Sequence, residues 1–149
     1  HKDFSVLPSL GLTIENANLF PALTGFENLK YLADFKKTIS TNEIILALHR
    51  VGLDKNDKRI YKKYSLGMKQ RLAIAQAIME HPDVIMLDEP TNSLDEGGIY
   101  LLRDIIKEEK KRGAIILLAS HNRAEISSLA DSMYEINDGR VSLLWSEQN

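Results

Sequence analysis

A short apolar run that ends in two adjacent acids constrains this chain more than any other feature. Residues 84–87 read Val-Ile-Met-Leu, and Asp88, Glu89 and Pro90 follow at once. The run is too short for a helix and rich in β-formers, so it predicts a buried strand. Ligands of open α/β sheets bind at the carboxyl ends of the strands. The two acids are therefore candidates for a functional site, although a solvated acidic turn gives the same pattern.

Two neighbouring carboxylates at such an edge can divide the work of phosphate chemistry. One can hold Mg²⁺ through water, because Mg²⁺ prefers oxygen ligands and keeps several waters. The other can polarise the water that attacks a phosphate.

A second apolar run, residues 114–119, leads into Ser120 and His121. It predicts a buried strand of the kind found in parallel sheets that are covered on both faces. A lone histidine is more often structural than catalytic. At the end of a strand beside one that ends in two acids, however, an imidazole can bond a phosphate and orient the attacking water.

Capping signals and apolar spacing predict five helices and two more strand regions. The helices are expected over residues 27–35, 42–51, 66–80, 98–111 and 123–129. Four of them follow a capping side chain, respectively Thr24, Ser40 or Thr41, Ser65 and Asp95. A short strand is expected at residues 12–14, and Asp138-Gly139 predicts a hairpin of residues 132–137 and 140–145.

Composition excludes several functional classes. The chain has 149 residues, a formal net charge of -2 and no cysteine. A disulfide framework and a thiolate metal site are thereby excluded. The basic stretch 55–63 lacks the aromatic interleaving of a nucleic-acid surface, so no nucleic acid is expected as a partner. No apolar run approaches the roughly 18 residues of a membrane span, so any membrane role is expected to come through a partner.

Four motifs, in order and in register, resemble those of the nucleotide-binding subunit of an ABC transporter. IMLDEP (85–90) resembles the Walker B strand, and TNSLD (91–95) resembles the D-loop. YSLGMKQRL (64–72) resembles the signature motif, with Leu66 and Met68 in place of a glycine and a glutamine. Ser120-His121 resembles the switch-histidine loop. In detail the chain is similar to drug, bacitracin and lantibiotic-immunity exporters.

The resemblance implies an α/β fold of the P-loop NTPase type. It would comprise a partial parallel sheet, an α-helical signature subdomain and a C-terminal β-hairpin. Residues 1–23 would form a core segment, residues 24–82 the helical subdomain and residues 83–149 a second core segment.

The same resemblance implies roles for individual residues toward ATP and Mg²⁺. Glu89 would be the general base, Asp88 would hold Mg²⁺, and His121 would contact the γ-phosphate. Ser65 and Gly67 lie where a helix N-terminus offers free N–H groups to a phosphate. They would act on ATP held by a second nucleotide-binding subunit, in a homodimer or heterodimer.

Two further acids complete the candidate ATP site. Asp95 of the D-loop would cross the dimer interface. Glu15 stands where the family carries a glutamine that reaches Mg²⁺ and the attacking water, so it is a candidate for both ATP and metal binding. Alternatively, Glu15 is an acidic loop residue that faces solvent and has no role in binding.

A transmembrane permease subunit is the other partner that the resemblance implies. The chain would then be cytoplasmic and peripheral on the inner face of the cell membrane. Phe20 and Phe26, in or beside the LTGFENL stretch (23–29), are candidates for the permease contact, and core packing is the alternative for both.

The phosphate-binding loop GxxxxGKS or GxxxxGKT does not occur in these 149 residues. The chain is therefore interpreted as the C-terminal part of a larger ATPase. Alone it is expected to bind ATP poorly and to hydrolyse none. Two alternatives stay open, a non-catalytic docking module and a soluble ABC ATPase of DNA repair or translation.

Overall fold

A parallel sheet of three strands organises the part of the chain up to Ala119. The computed structural model describes residues 9–14 and 19–146. The strands are β1 (Leu10–Thr13), β2 (Val84–Asp88) and β3 (Ile115–Ala119), with β2 in the middle. The register aligns Leu12 with Met86 and Met86 with Leu117, so the three strands end at one edge of the sheet. The three predicted strands are confirmed, and β1 begins two residues earlier than expected.

Four α-helices accompany this sheet among the described residues, and each follows the capping side chain that the sequence indicated. They are α1 (Gly25–Lys36), α2 (Thr41–Arg50), α3 (Leu66–Ile78) and α4 (Glu96–Arg112). Their N-caps are Thr24, Ser40, Ser65 and Asp95, each accepting a hydrogen bond from a backbone N–H three residues on. The first two are full capping boxes, so the cap of α2 is Ser40 rather than Thr41. No helix within the described residues is long and apolar enough to cross a membrane.

A second compact unit begins at Ser120. It contains α5 (Arg123–Ser127) and an antiparallel hairpin of β4 (Ser132–Asn137) and β5 (Arg140–Ser146). The turn residues Asp138 and Gly139 have φ angles of 47° and 74°. Positive φ at both central positions matches the twist of the flanking strands, which is why Asp-Gly predicted this hairpin correctly. The three-part domain division of the sequence analysis stays a prediction.

Helix α3 covers one face of the sheet. It packs against β1 and β2, and a Cβ at Gly11 of β1 would overlap the carbonyl oxygen of Ala77. On the same face of β2, Ile85 and Leu87 are 1% and 2% exposed. Burying an aliphatic side chain of this size contributes roughly 1.5–3 kcal/mol. The buried apolar residues of β2 thus lie on the face of the sheet that α3 covers.

The opposite face of the sheet is apolar and exposed. Its side chains are 37–62% exposed, and they are Leu10, Leu12, Met86, Ile115 and Leu117. Burial on both faces, expected for residues 114–119, is therefore wrong for the described part of the chain. A run of aliphatic residues indicates a strand but does not say which layers cover it.

A buried carboxylate ties α4 to α2 and to the start of β2. Glu109 is 2% exposed, and it pairs with Arg50 at 2.7 Å and with Arg112 at 2.8 Å. Arg112 also donates to the carbonyl oxygen of Pro82. The neighbouring Glu108 pairs with the same Arg50 at 2.9 Å, but its side chain is 62% exposed.

We expect Glu109→Ala to lower the free energy of unfolding by about 3 kcal/mol, because it leaves two guanidinium groups without their buried counter-ion. Glu108→Ala is the matched control and should cost less than about 1 kcal/mol, as exposed ion pairs do. Urea denaturation of the two variants measures the difference. Equal losses would show that burial of Glu109 does not decide the strength of this network.

Candidate functional site

The candidate carboxylates project from a backbone that both neighbouring strands hold. Asp88 is the last residue of β2, and its N–H donates to the hydroxyl of Thr13 on β1 at 3.3 Å. The N–H of Glu89 donates to the carbonyl oxygen of Ala119 on β3 at 2.8 Å. Both acids are half-buried at the carboxyl edge of the sheet. The structure thus brings them where the sequence predicted.

Glu89 adopts an unusual backbone conformation. Its φ is 44°, in the left-handed region that costs a non-glycine residue roughly 1–2 kcal/mol. Its carbonyl oxygen accepts a hydrogen bond from the N–H of Asn92 at 3.1 Å, which closes a turn. Strained residues of this kind persist where the surroundings fix them, and they cluster at functional sites.

The N-terminus of α3 is accessible to solvent. Ser65 is exposed and accepts a hydrogen bond from the N–H of Met68 at 3.2 Å, so its hydroxyl is a helix cap. Leu66, the first residue of the helix, is 70% exposed. The free N–H groups and partial positive charge of this helix end suit a phosphate.

Gly67 lies against the segment that follows β2. A Cβ on Gly67 would lie 2.7 Å from the carbonyl oxygen of Ser93, closer than real Cβ contacts allow. Ser93 itself has a φ of 65°. The absence of a side chain at residue 67 therefore has a reason within this subunit, independent of any contact with phosphate.

Asp95, at the end of the same segment, accepts two hydrogen bonds. Its Oδ1 lies 2.5 Å from Nη2 of Arg71 and accepts the N–H of Gly98 at 2.9 Å, which caps α4. The hydrogen bond from Arg71 and then that from Gly98 lower the pKa of the Asp95 carboxyl below its usual value. Asp95 lines a cavity of about 790 Å³ together with Ser65 and Gly67.

Two predicted site residues lie outside the part of the structure that builds this arrangement, and their roles stay predictions. His121 is exposed, follows β3 by two residues in the chain, and is described within the second unit. Glu15 lies outside the described residues, as do its predicted contacts with ATP and metal.

Asp88 offers an oxygen donor of the kind that Mg²⁺ prefers, and the magnesium site stays a prediction. Among the described residues, no group of three or more His, Cys, Asp or Glu side chains is arranged to hold a metal ion. Asp88 offers one carboxylate, which suits an ion that takes one or two carboxylates and fills its other positions with water and nucleotide phosphates.

Three residues that support this site were not among the predicted site residues, although Gln70 and Arg71 belong to the signature stretch. Thr13 is 2% exposed and bonds the backbone of Asp88. Gln70 donates from Nε2 to the carbonyl oxygens of Glu89 at 3.4 Å and Pro90 at 3.2 Å. Arg71 binds Asp95. The spacing i, i+3, i+4 of Gly67, Gln70 and Arg71 places them on one face of α3, and this signal could have found the last two.

Comparison with known proteins identifies the class. The family model described as ABC transporter matches residues 5–92, more than half of this chain, so the chain belongs to the ABC transporter family of ATP-binding proteins. The recognition made from the motifs is confirmed.

Relatives in several bacteria carry the same family description. The uncharacterized ABC transporter ATP-binding protein YybJ of Bacillus subtilis is 50% identical over 141 residues, covering 95% of this chain and 65% of its own length. The bacitracin transport ATP-binding protein BcrA of Enterococcus faecalis is 40% identical, covering 89% of this chain and 43% of its own. The lantibiotic transport protein SrtF of Streptococcus pyogenes is 40% identical, covering 92% and 59%. The chain spans less than two thirds of each.

Solved structures show the same fold. The dimeric ABC transporter cassette MJ0796 superposes with a TM-score of 0.80 at 23% identity, over 93% of this chain and 64% of that one. Its form with ADP and Pi gives a TM-score of 0.77 at 24% identity over the same shares. The predicted P-loop NTPase-like α/β fold is confirmed.

The lowered pKa of Asp95 predicts how its stabilisation depends on pH. A carboxyl whose pKa is lower in the folded state stabilises the fold above its unfolded pKa, about 3.9. That contribution is lost as pH falls through the folded pKa. In Asp95→Asn, the decrease in unfolding free energy between about pH 5 and pH 2 should be smaller than in the wild type. Urea denaturation across this range measures it, and parallel curves for the two proteins would contradict the prediction.

Proposed function

We propose that this chain is the part of an ABC transporter ATPase subunit that carries its catalytic carboxylate and its signature helix. In this proposal ATP closes a dimer of such subunits, and hydrolysis reopens it and drives a separate membrane permease. Family membership supports the class. The observation that carries the proposal is local: Asp88 and Glu89 are held at the carboxyl edge of the sheet, while the exposed N-terminus of α3 lies against the loop that follows them.

The two acids at the end of β2 differ in the work we assign them. Glu89 would accept a proton from the water that attacks the γ-phosphate, a general-base contribution of roughly 10²–10⁴ in rate. Asp88 would hold Mg²⁺ through water, and the ion would neutralise phosphate charge. His121 would bond the γ-phosphate and orient the attacking water. The fixed backbone on either side of Glu89 supports its role as a positioned base.

Ser65 and Gly67 would act in trans, at the ATP held by the second subunit. Their helix end opens to solvent, as a surface that meets a partner must. Asp95 lines the same cavity and would lie at the subunit interface. We propose a head-to-tail dimer, in which the two subunits would each complete the other's site; the similar cassette structure is described as dimeric.

We place the phosphate-binding loop on a segment outside these 149 residues. The exposed apolar face around Met86 supports this, because parallel sheets are normally covered on both faces. The longer chains of the relatives also support it. Residues 1–23 and 83–149 would then share one core with that segment, and residues 24–82 would form the helical subdomain. This chain alone would then bind ATP poorly and hydrolyse none.

An apolar groove supports the permease as partner. A cavity of about 630 Å³ is lined by Phe20, Tyr31 and Phe35 of the α1 region and also by Leu10 and Leu12 of β1. It therefore adjoins the sheet face that we assign to the segment outside these 149 residues, and we offer only its aromatic residues to the permease. Phe20 is 44% exposed and meets Tyr31 edge-on, with ring centroids 4.7 Å apart, and Phe35 is 87% exposed. Aromatic residues are enriched at protein interfaces. Phe26 is half-buried, so the groove favours Phe20 over Phe26 for this contact. The permease would hold the subunit at the inner face of the cell membrane.

The transported class is proposed from the names of relatives. Proteins named for bacitracin and lantibiotic transport share about 40% of their aligned residues with this chain. We propose export of a peptide antibiotic or a compound like it, with the permease deciding the substrate.

One feature favours a second candidate, a docking module without catalysis. Leu66 is 70% exposed at the helix end where backbone would approach phosphate. A bulky apolar side chain there would hinder that approach. The following experiment separates the two functions.

Glu89→Gln, in the full-length protein, should lower ATP turnover by about 10² or more, because glutamine cannot accept the proton. ATP binding should remain, and the ATP-bound dimer should persist because it reopens only on hydrolysis. Phosphate release and size-exclusion chromatography with ATP measure these effects. Glu108→Gln, an exposed glutamate of α4, is the control and should behave as wild type. Undiminished turnover in Glu89→Gln would contradict the role of Glu89, and a wild type that neither binds nor hydrolyses ATP would favour the docking module.

Phe20→Asp should weaken retention of the protein in the membrane fraction by about tenfold or more, as loss of one interface hot spot does. ATP hydrolysis of the purified protein should be unchanged. Leu46→Asp alters an apolar residue of α2 that is 51% exposed and lies outside the groove, so it should keep wild-type retention. Equal retention of both variants would argue against this groove as the permease contact.

A further inference from the structure

Helix α3 holds the loop between β2 and α4, residues 89–95, at three points. Gln70 donates to the carbonyl oxygens of Glu89 and Pro90 at the start of the loop. Gly67 lies against the carbonyl oxygen of Ser93 in its middle. Arg71 binds Asp95 at its end, at 2.5 Å. One face of the first two helical turns therefore determines the path of the whole loop.

The contact of Gln70 completes the restraint on Glu89. The N–H of Glu89 is bonded to Ala119, so β3 fixes the peptide before this residue. Its carbonyl oxygen receives the amide of Gln70, so α3 helps to fix the peptide after it. Between these two bonds the backbone of Glu89 holds a φ of 44°. Since the backbone angles set the direction of the Cα–Cβ bond and restrict χ1, these bonds limit where its carboxylate can lie.

The same helix reaches the candidate phosphate contact. Ser65 caps α3, and Gln70 lies five residues further on, about 7.5 Å along the axis. Leu72, Ile74 and Ile78 of α3 are at most 2% exposed, so the helix is closely packed, and we infer that it responds as one rigid element. A displacement of its N-terminus is therefore a displacement of the Gln70 amide.

We propose that Gln70 is a positioning residue for the candidate base Glu89, and that it relays the position of the α3 N-terminus to that base. The proposal rests on the function proposed above. A nucleotide that binds at Ser65 and Gly67 would thereby fix the position of Glu89 in the subunit that provides these two residues. Each subunit's base would respond to ATP held by its partner.

The chemistry of the contact dictates the variants. Both acceptors are carbonyl oxygens, so residue 70 must donate. Gln70→Glu has nearly the same shape, but its carboxylate accepts only and would repel both oxygens. Gln70→Lys restores a donor on a chain of similar reach. Asn42→Asp makes the same amide-to-acid change at an exposed position of α2 and serves as control.

The test is steady-state ATP hydrolysis by the full-length protein with each variant. Gln70→Glu should lower kcat about tenfold or more and leave the KM for ATP within about twofold, the pattern of a lost transition-state interaction. Gln70→Lys should recover most of kcat, and Asn42→Asp should match the wild type. Amide hydrogen exchange at Asn92, whose N–H bonds to Glu89, should accelerate in Gln70→Glu and not in Gln70→Lys.

Two results would overturn this inference. One is wild-type kcat in Gln70→Glu. The other is a loss of melting temperature in Gln70→Glu that Gln70→Lys shares, with kcat and KM affected alike, since this would show a merely structural role. Failure of the proposed function is a different observation, because then the wild-type full-length protein hydrolyses no ATP at all.

Discussion

The packing of α3 against the sheet is the constraint on which the rest of this molecule depends. Its side chains Leu72, Ile74 and Ile78 are almost wholly withdrawn from water, and α2 packs on it from another side. Gly11 lets β1 approach its backbone closely. Because interiors are close-packed, a helix enclosed in this way offers a fixed reference for whatever touches its ends. The loop after β2 follows a path that its contacts with the N-terminal turns of α3 determine.

Strain and restraint coincide at the end of β2. A glutamate with positive φ is unfavourable by itself, and three strands and a helix compensate by holding the backbone around it. The packed core thus stabilises an unfavourable backbone conformation at one acidic residue. Enzymes gain rate when catalytic groups are positioned before the substrate arrives, so this restraint supports the proposed role of Glu89 as a base.

Local chemistry explains which sequence predictions were accurate. The caps at Thr24, Ser65 and Asp95 and the turn at Asp138-Gly139 depend on neighbours within a few residues, and all were found from the sequence. The contacts of Gln70 with Glu89 and of Thr13 with Asp88 join residues 19 and 75 positions apart. The spacing of residues along the chain does not show which distant residues meet in space, because that depends on how the strands and helices are arranged.

The sequence by itself determined the family, the strands and helices, and the two carboxylates at the end of β2, because motif order and short-range patterns suffice for these. Only the tertiary structure decided three contacts of α3 with the loop after β2. Gly67 leaves room for the carbonyl oxygen of Ser93, Arg71 binds Asp95, and Gln70 bonds to the backbone of Glu89. The tertiary structure also showed one face of the sheet to be exposed. The physical reason is that such contacts follow from how helix and sheet are stacked, and stacking is set by long-range burial rather than by local propensity.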